Sequence, residues 1–254
     1  MMMTKKVFEL WLIWQNVETR QRYHIGRLKF KDGLFTFNYE TKGYRRKLAE
    51  VMDHGYLPHL AFPDIYGKYT SRTLFGPFSR RLPDPRRPDY KELMEGLGLT
   101  VNSTELDVLR ATGGLLATDS YEFVEPILVE NNHFSFDLFI AGWRYYDGES
   151  VIGDLKVDNP VIFALDLENP EDDKAVKIYS ADNVVLGYIP AFYSEWIFEA
   201  IERDWFYHAK IDQVHQRALP HRKVSINVQG MMTPYVGIED VFKRKEKLQM
   251  VEFV

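Results

Sequence analysis

The chain has 254 residues, a net charge of −5 and no cysteine. That excludes a disulfide framework, a cysteine-ligated zinc site and a thiol nucleophile, and the acidic balance argues against a non-specific duplex binder, which needs a large basic surface. Aromatic residues are abundant, with 15 Tyr, 17 Phe and 5 Trp, enough for dense cores and for stacking platforms at the surface.

In chain order, the patterning predicts strands over Phe8–Trp14 and Arg22–Leu28, then a hairpin over Lys29–Phe37. Its turn is Lys31-Asp32-Gly33, because Asp-Gly suits the primed turns that match strand twist. A helix is expected over Lys42–His54, with Leu48 and Val51 on one face and Gly55 as its stop. Residues 56–89 hold Pro58, Pro63, Pro77, Pro83, Pro85 and Pro88, which rules out a long helix. A short helix follows at Tyr90–Leu97. Another follows at Thr104–Thr112, capped by Asn102 or Ser103 and ended by Gly113-Gly114.

Asn131-Asn132-His133 reads as a linker between domains. Beyond it, strands are expected at Phe134–Ala141, Val161–Leu167, Val176–Tyr179, Val184–Tyr188, Tyr207–Val214 and Val224–Val228, with one helix at Pro190–Arg203. Tyr145 and Tyr146 are expected to alternate across a strand, with one of them in the core. Ile238–Leu248 is a candidate amphipathic helix. Many short strands with one helix suggest a small barrel or a curled sheet. Charge supports a boundary near 131–135: residues 1–133 carry 19 Lys and Arg against 17 Asp and Glu, and residues 134–230 carry 9 against 16. The expected domains are residues 1–131, 134–230 and a tail, 231–254. The apolar run Phe8–Trp14 is too short to span a bilayer and no leader pattern precedes it, so a cytoplasmic protein without a membrane segment is expected.

Three ordered blocks stand out in the second half: Arg144-Tyr145-Tyr146, then Asn169-Pro170-Glu171-Asp172 with Ala175-Val176, then Gly187-Tyr188-Ile189-Pro190. Together they resemble the HIRAN domain, the module at the N-terminus of Swi/Snf-type fork-remodelling helicases. The resemblance implies a six-stranded OB-like or SH3-like barrel with helices, and binding of the 3′ end of single-stranded DNA. It implies that Tyr145 stacks on a terminal base, Arg144 pairs with a phosphate, Asp172 accepts from the terminal hydroxyl and Asn169 shapes the loop. The chemistry is coherent, since a carboxylate accepts from a hydroxyl and repels a phosphate, while a ring stacks on any base. Two features depart from the pattern. Glu171 stands where the DNA-binding members have an aromatic residue, and Asp173 adds a further acid; each opposes a polyanion by roughly 1 kcal/mol. Read as local structure, Asn169-Pro170-Glu171-Asp172 is equally a good turn.

The first half resembles the small N-terminal subdomain of HipA-type toxins, through Ile25-Gly26-Arg27-Leu28, Phe35-x-Phe37-x-Tyr39, Phe75-Gly76-Pro77-Phe78 and the helix end at Gly113-Gly114. That resemblance implies an α+β domain with an accessory or docking role. The most basic stretch is Arg80-Arg81 and Arg86-Arg87, with Tyr69, Phe75 and Phe78 interleaved. It reads either as a phosphate-tracking surface or as a solvated loop whose arginines pair with Asp84 and Asp89. The seven histidines form no metal-binding spacing and no serine sits in a nucleophile-elbow context, so no cofactor, metal or catalytic residue is expected.

The expected whole is an α+β N-terminal domain plus a mainly-β OB/SH3-like barrel with helices, acting as a non-enzymatic binder of single-stranded DNA or DNA ends in genome maintenance or mobile-element defence. The alternative is a protein-interaction adaptor of toxin–antitoxin type with no nucleic-acid binding.

Overall fold

The computed structural model describes residues 8–234, apart from residues 44, 101, 217 and 219. The helix expected at Ile238–Leu248 lies outside these residues. The described chain divides into two compact units, one running to Pro126 and including Pro190–Phe192, the other made of the remainder.

The first unit is β-rich. Strands β1 (Glu9–Gln15), β2 (Arg22–Lys31), β3 (Leu34–Tyr39), β4 (Tyr69–Ser71) and β5 (Tyr121–Val124) form one antiparallel sheet in the order β4-β3-β2-β1-β5. The β2–β3 turn is the one expected, with Asp32 and Gly33 both at positive φ, 53° and 76°. Helix α1 (Leu48–Asp53) is shorter than the periodicity suggests. Arg46 adopts φ 53° and its carbonyl accepts from His24 N, while Lys47 bridges His24. The segment before Leu48 is therefore drawn along β2 and is not helical.

One sheet face carries Leu10, Leu12, Tyr23, Ile25, Leu28 and Phe37 into a core completed by Leu106 and Leu109 and by Phe62 and Phe78 of the proline-rich segment. Phe37 meets Phe62 at 4.5 Å and Phe78 at 5.3 Å between ring centroids. Each such ring contributes about 1.5–3 kcal/mol on burial, which explains why a segment with little regular structure stays packed. That segment also holds α2 (Gly76–Ser79), and α3 (Tyr90–Gly96) follows it. Helix α4 (Glu105–Thr112) is capped by Thr104, not Asn102 or Ser103: the Thr104 hydroxyl accepts from Asp107 N, and the Asp107 carboxylate accepts from Thr104 N.

The second unit holds two antiparallel sheets. Strands β6 (Leu128–Glu130), β7 (His133–Phe139), β11 (Trp205–Val214) and β12 (Val224–Pro234) form one, in the order β11-β12-β7-β6. Strands β8 (Val161–Leu165), β9 (Val176–Ser180) and β10 (Val185–Tyr188) form the other, in the order β10-β9-β8. Asn131 and Asn132, at φ 49° and 64°, are the tight turn of the β6–β7 hairpin and not a linker. The barrel is not closed. The sheets meet only through single bridges, Ala141 with Tyr188 and Pro160 with Lys210. Pro160 lacks the N–H needed to extend its ladder. Past Ala141 the chain turns out of the strand at Gly142, φ 74°. Phe134, Phe136 and Leu138 of β7 face the interior with Ile226 and Val228 of β12. Helix α6 (Ala191–Glu202) covers them with Tyr193, whose ring lies 5.0 Å from Phe136.

Candidate functional site

Residues Trp143–Tyr145 form a 3-10 turn, not the strand that alternation suggests. The consequence is a sharp split between neighbours: Trp143 is 1% exposed and Tyr145 is 69% exposed. Trp143 is held from two sides. Its indole N–H donates to Glu149 Oε1 at 3.1 Å, the oxygen that Lys223 also engages. Its ring lies so close to Gly148, in α5 (Gly148–Val151), that a Cβ there would meet it at 2.7 Å. The turn is thereby fixed, and it presents Arg144 and Tyr145 to solvent. The Arg144 guanidinium lies 4.6 Å from the Tyr145 ring centroid and donates to its hydroxyl, so platform and cation form one exposed surface. A second 3-10 turn, Pro220–Arg222, packs beside this one. Its Arg222 guanidinium covers Phe139 at 4.6 Å, and burial pulls its pKa down to about 10, still cationic at neutral pH.

The Asn169–Asp172 loop is built as an Asx turn. Asn169 Oδ1 accepts from the backbone of Glu171 and Asp172 at 3.0 and 3.1 Å. Asp172 is half-buried: Oδ1 accepts from Lys174 N at 2.9 Å and Oδ2 from the Ser194 hydroxyl at 3.3 Å. Glu171 and Asp173 are exposed. Lys174 sits 3.9 Å from the Phe198 ring centroid.

What joins the three sequence blocks is a cluster that the motif reading missed. Tyr188 donates to Asp166 at 2.6 Å, Lys177 pairs with Asp166 at 3.0 Å, and Asn169 Nδ2 donates to the same carboxylate at 3.1 Å. The Tyr146 ring lies 5.4 Å from that of Tyr188. The blocks thus form a continuous chain of contacts from the platform turn, through Tyr146, Tyr188 and Asp166, to Asn169 and Asp172. The Tyr188 hydrogen bond, then Lys177 and Asn169, hold the Asp166 carboxyl below its ordinary range; burial and Asp166 push the Tyr188 hydroxyl up. Sequence offers a partial signal for the cluster, in the polar Asp166 at the end of an alternating apolar run, but not its partners.

The basic stretch splits. Arg81 is 8% exposed, donates to Gly114 O at 2.8 Å and pairs with Asp119. It is an internal residue, not one aligned along a surface. Arg86 is bidentate to Asp84 and Arg87 to Asp89, each pair closing at 2.8 Å. Arg80 is exposed. Among the described residues, no group of three or more His, Asp or Glu is placed to hold a metal ion, and no helix is long and apolar enough to cross a membrane.

Residues 133–233 match the HIRAN domain. The match contains the platform turn, the Asx loop and the Tyr188 cluster, and it ends before the masked tail. Two solved structures are similar to this chain. A protein from Lactobacillus plantarum has 16% identity, over 39% of this chain and 96% of that one, with a TM-score of 0.34. The HIRAN domain of human HLTF has 14% identity, over 46% of this chain and 87% of that one, with a TM-score of 0.33. Comparison with curated proteins gives no match. The HIRAN match leaves out the first unit, and the resemblance of residues 1–131 to the HipA subdomain gains no support from these comparisons.

Proposed function

We propose that the protein is a non-enzymatic nucleic-acid binder whose HIRAN segment takes the end of a single DNA strand, in genome maintenance or in defence against mobile elements within the cytoplasm. The observation that carries this reading is the exposed Tyr145 ring with the Arg144 guanidinium against it. A base stacks on the ring with little regard to sequence, and a guanidinium binds phosphate oxygens in a fixed fork. Asp172 is the discriminating group. It already accepts from Lys174 N and Ser194, and a carboxylate oxygen accepts more than one hydrogen bond, so a terminal 3′-hydroxyl adds to those bonds while a 3′-phosphate is repelled. Exposed Glu171 and Asp173 lower affinity for the internucleotide phosphates, which favours an end over the middle of a strand. In the first unit, Arg80 is the arginine best exposed for a further phosphate contact, while Arg86 and Arg87 contribute only if they leave their aspartates.

The test compares short single strands ending in a 3′-hydroxyl or a 3′-phosphate at one stated salt concentration. Preference for the hydroxyl supports the reading; equal binding, or none at micromolar protein, removes it. Incubation of the same strands with magnesium or manganese is expected to leave them intact.

A further inference from the structure

The proline-rich loop of the first unit alternates in a telling way. Tyr56, His59 and Phe62 turn inward, while Leu57, Leu60 and Tyr66 are 80%, 95% and 82% exposed. The inward residues line a recess with Phe37, Tyr39, Phe78, Arg81 and Tyr121. It measures about 250 Å3 counted to its open mouth, room for the end of a side chain and too little for a drug-sized ligand.

The polar groups in its wall are mainly donors. Arg81 Nε is buried and has no hydrogen-bond partner among the described residues, although the rest of the guanidinium is satisfied by Gly114 O and Asp119. A buried orphan donor of this kind is uncommon and asks for an acceptor. Ala61 N donates to His59 Nδ1 at 3.0 Å, so the neutral ring carries its proton on Nε2; burial, then Arg81, keeps His59 below its usual pKa. The Tyr56 and Tyr121 hydroxyls meet at 3.3 Å, and Tyr39 accepts from His59 N.

We infer that this recess and its rim are a docking site for a protein segment that carries a carboxylate beside aliphatic side chains, the carboxylate entering toward Arg81 and the aliphatic groups covering Leu57 and Leu60. Donors without an acceptor call for an anionic or carbonyl tip, and exposed leucines call for apolar cover. A nucleic acid fits less well, because residues 56–66 contain no Lys or Arg to track phosphates. The inference is independent of the HIRAN segment.

The test pans the full chain against displayed dodecapeptides, counter-selecting on L57D/L60D. Both leucines are almost fully solvent-exposed, so this variant is expected to keep its fold, as circular dichroism checks. The expected pool pairs Asp, Glu or a free C-terminal carboxylate with Leu, Ile or Val, and loses at least tenfold in affinity on L57D/L60D. Amidating the C-terminus, or changing the internal acid to its amide, tells the two carboxylate sources apart. A pool without carboxylates, equal binding to L57D/L60D, or no enrichment overturns the proposal. So does a single-stranded oligonucleotide whose binding is lost on L57D/L60D, while oligonucleotide binding lost only on Y145A leaves it intact.

Discussion

Trp143 donates its indole N–H to Glu149 at 3.1 Å, and Glu149 in turn holds Lys223. Through this pair a buried ring determines where an exposed one stands, because Tyr145 follows Trp143 in the same 3-10 turn. Removing the exposed ring and removing the buried one therefore have different consequences. Tyr145→Ala is expected to leave the urea midpoint unchanged and to weaken single-strand binding by about 1–3 kcal/mol, the worth of one base stack. Trp143→Ala is expected to cost about 3–5 kcal/mol of stability. Fluorescence anisotropy and urea unfolding read the two effects, and full affinity in Tyr145→Ala moves the site elsewhere.

Asp172 combines a structural task with the proposed discriminating one. Asp172→Ala loses the acceptor for Lys174 N and for Ser194, at about 1–2 kcal/mol of stability. Asp172→Asn keeps an oxygen for the turn and removes the charge. It is expected to stay close to wild type in stability while its preference for a 3′-hydroxyl over a 3′-phosphate falls toward unity. An unchanged preference assigns the discrimination to another group.

Gly187 guards one of the two seams between the sheets. Its φ is 144°, and a Cβ there would lie 2.3 Å from Ala141 O, the carbonyl that accepts from Tyr188 N. Gly187→Ala is expected to cost about 2–4 kcal/mol by separating β7 from β10. Gly153→Ala, where nothing lies within 4 Å, is the control and stays within about 0.5 kcal/mol. Equal midpoints for the two variants would show that the bridge is dispensable.

His24 is fully buried, accepts from Lys47 Nζ at 3.0 Å and stacks on Trp11 at 4.2 Å. Burial, then Lys47 and Arg27, push its pKa well below the ordinary value. The unfolded chain therefore binds a proton on acidification before the folded one does. The stability tied to His24 is complete above about pH 6.5 and falls by about 1.4 kcal/mol per unit below it, until the folded ring protonates. Urea unfolding between pH 7.5 and 5.5, above the ordinary carboxylate range, is expected to show this slope in the wild type and to lose it in His24→Gln.

Thr104→Ala removes one half of the reciprocal cap on α4 and is expected to lower stability by about 1 kcal/mol, whereas Ser103→Ala, which Ser103 does not cap, loses less. Thermal unfolding of the two variants checks the assignment.

Much of this was legible in the residue pattern. The Asp32-Gly33 turn, the β9–β10 hairpin and α6 follow from turn chemistry and periodicity, which act over a few neighbours. The misses share a cause. Alternation at 143–146 suggested a strand, but Gly142 turns the chain and Trp143 finds a pocket made by Gly148 and Glu149. The helix expected from Lys42 begins only at Leu48, because β2 claims the Arg46 carbonyl first. Two asparagines that looked like a linker turn a hairpin.

By itself the sequence determined the ordered blocks of the HIRAN match, the Asx turn at Asn169 and the lack of any thiol chemistry. Only the tertiary structure decided which of the arginines stay at the surface and which tyrosine becomes the platform. It also decided that Asp166 ties Tyr188 to the Asn169 loop, and that two single bridges stand where a closed barrel would have ladders. The physical reason is distance along the chain. Turns and caps are settled by residues a few positions apart, whereas the burial of Arg81 on Gly114 and Asp119, or of Trp143 beside Lys223, depends on partners 33 to 74 residues away that only packing brings together.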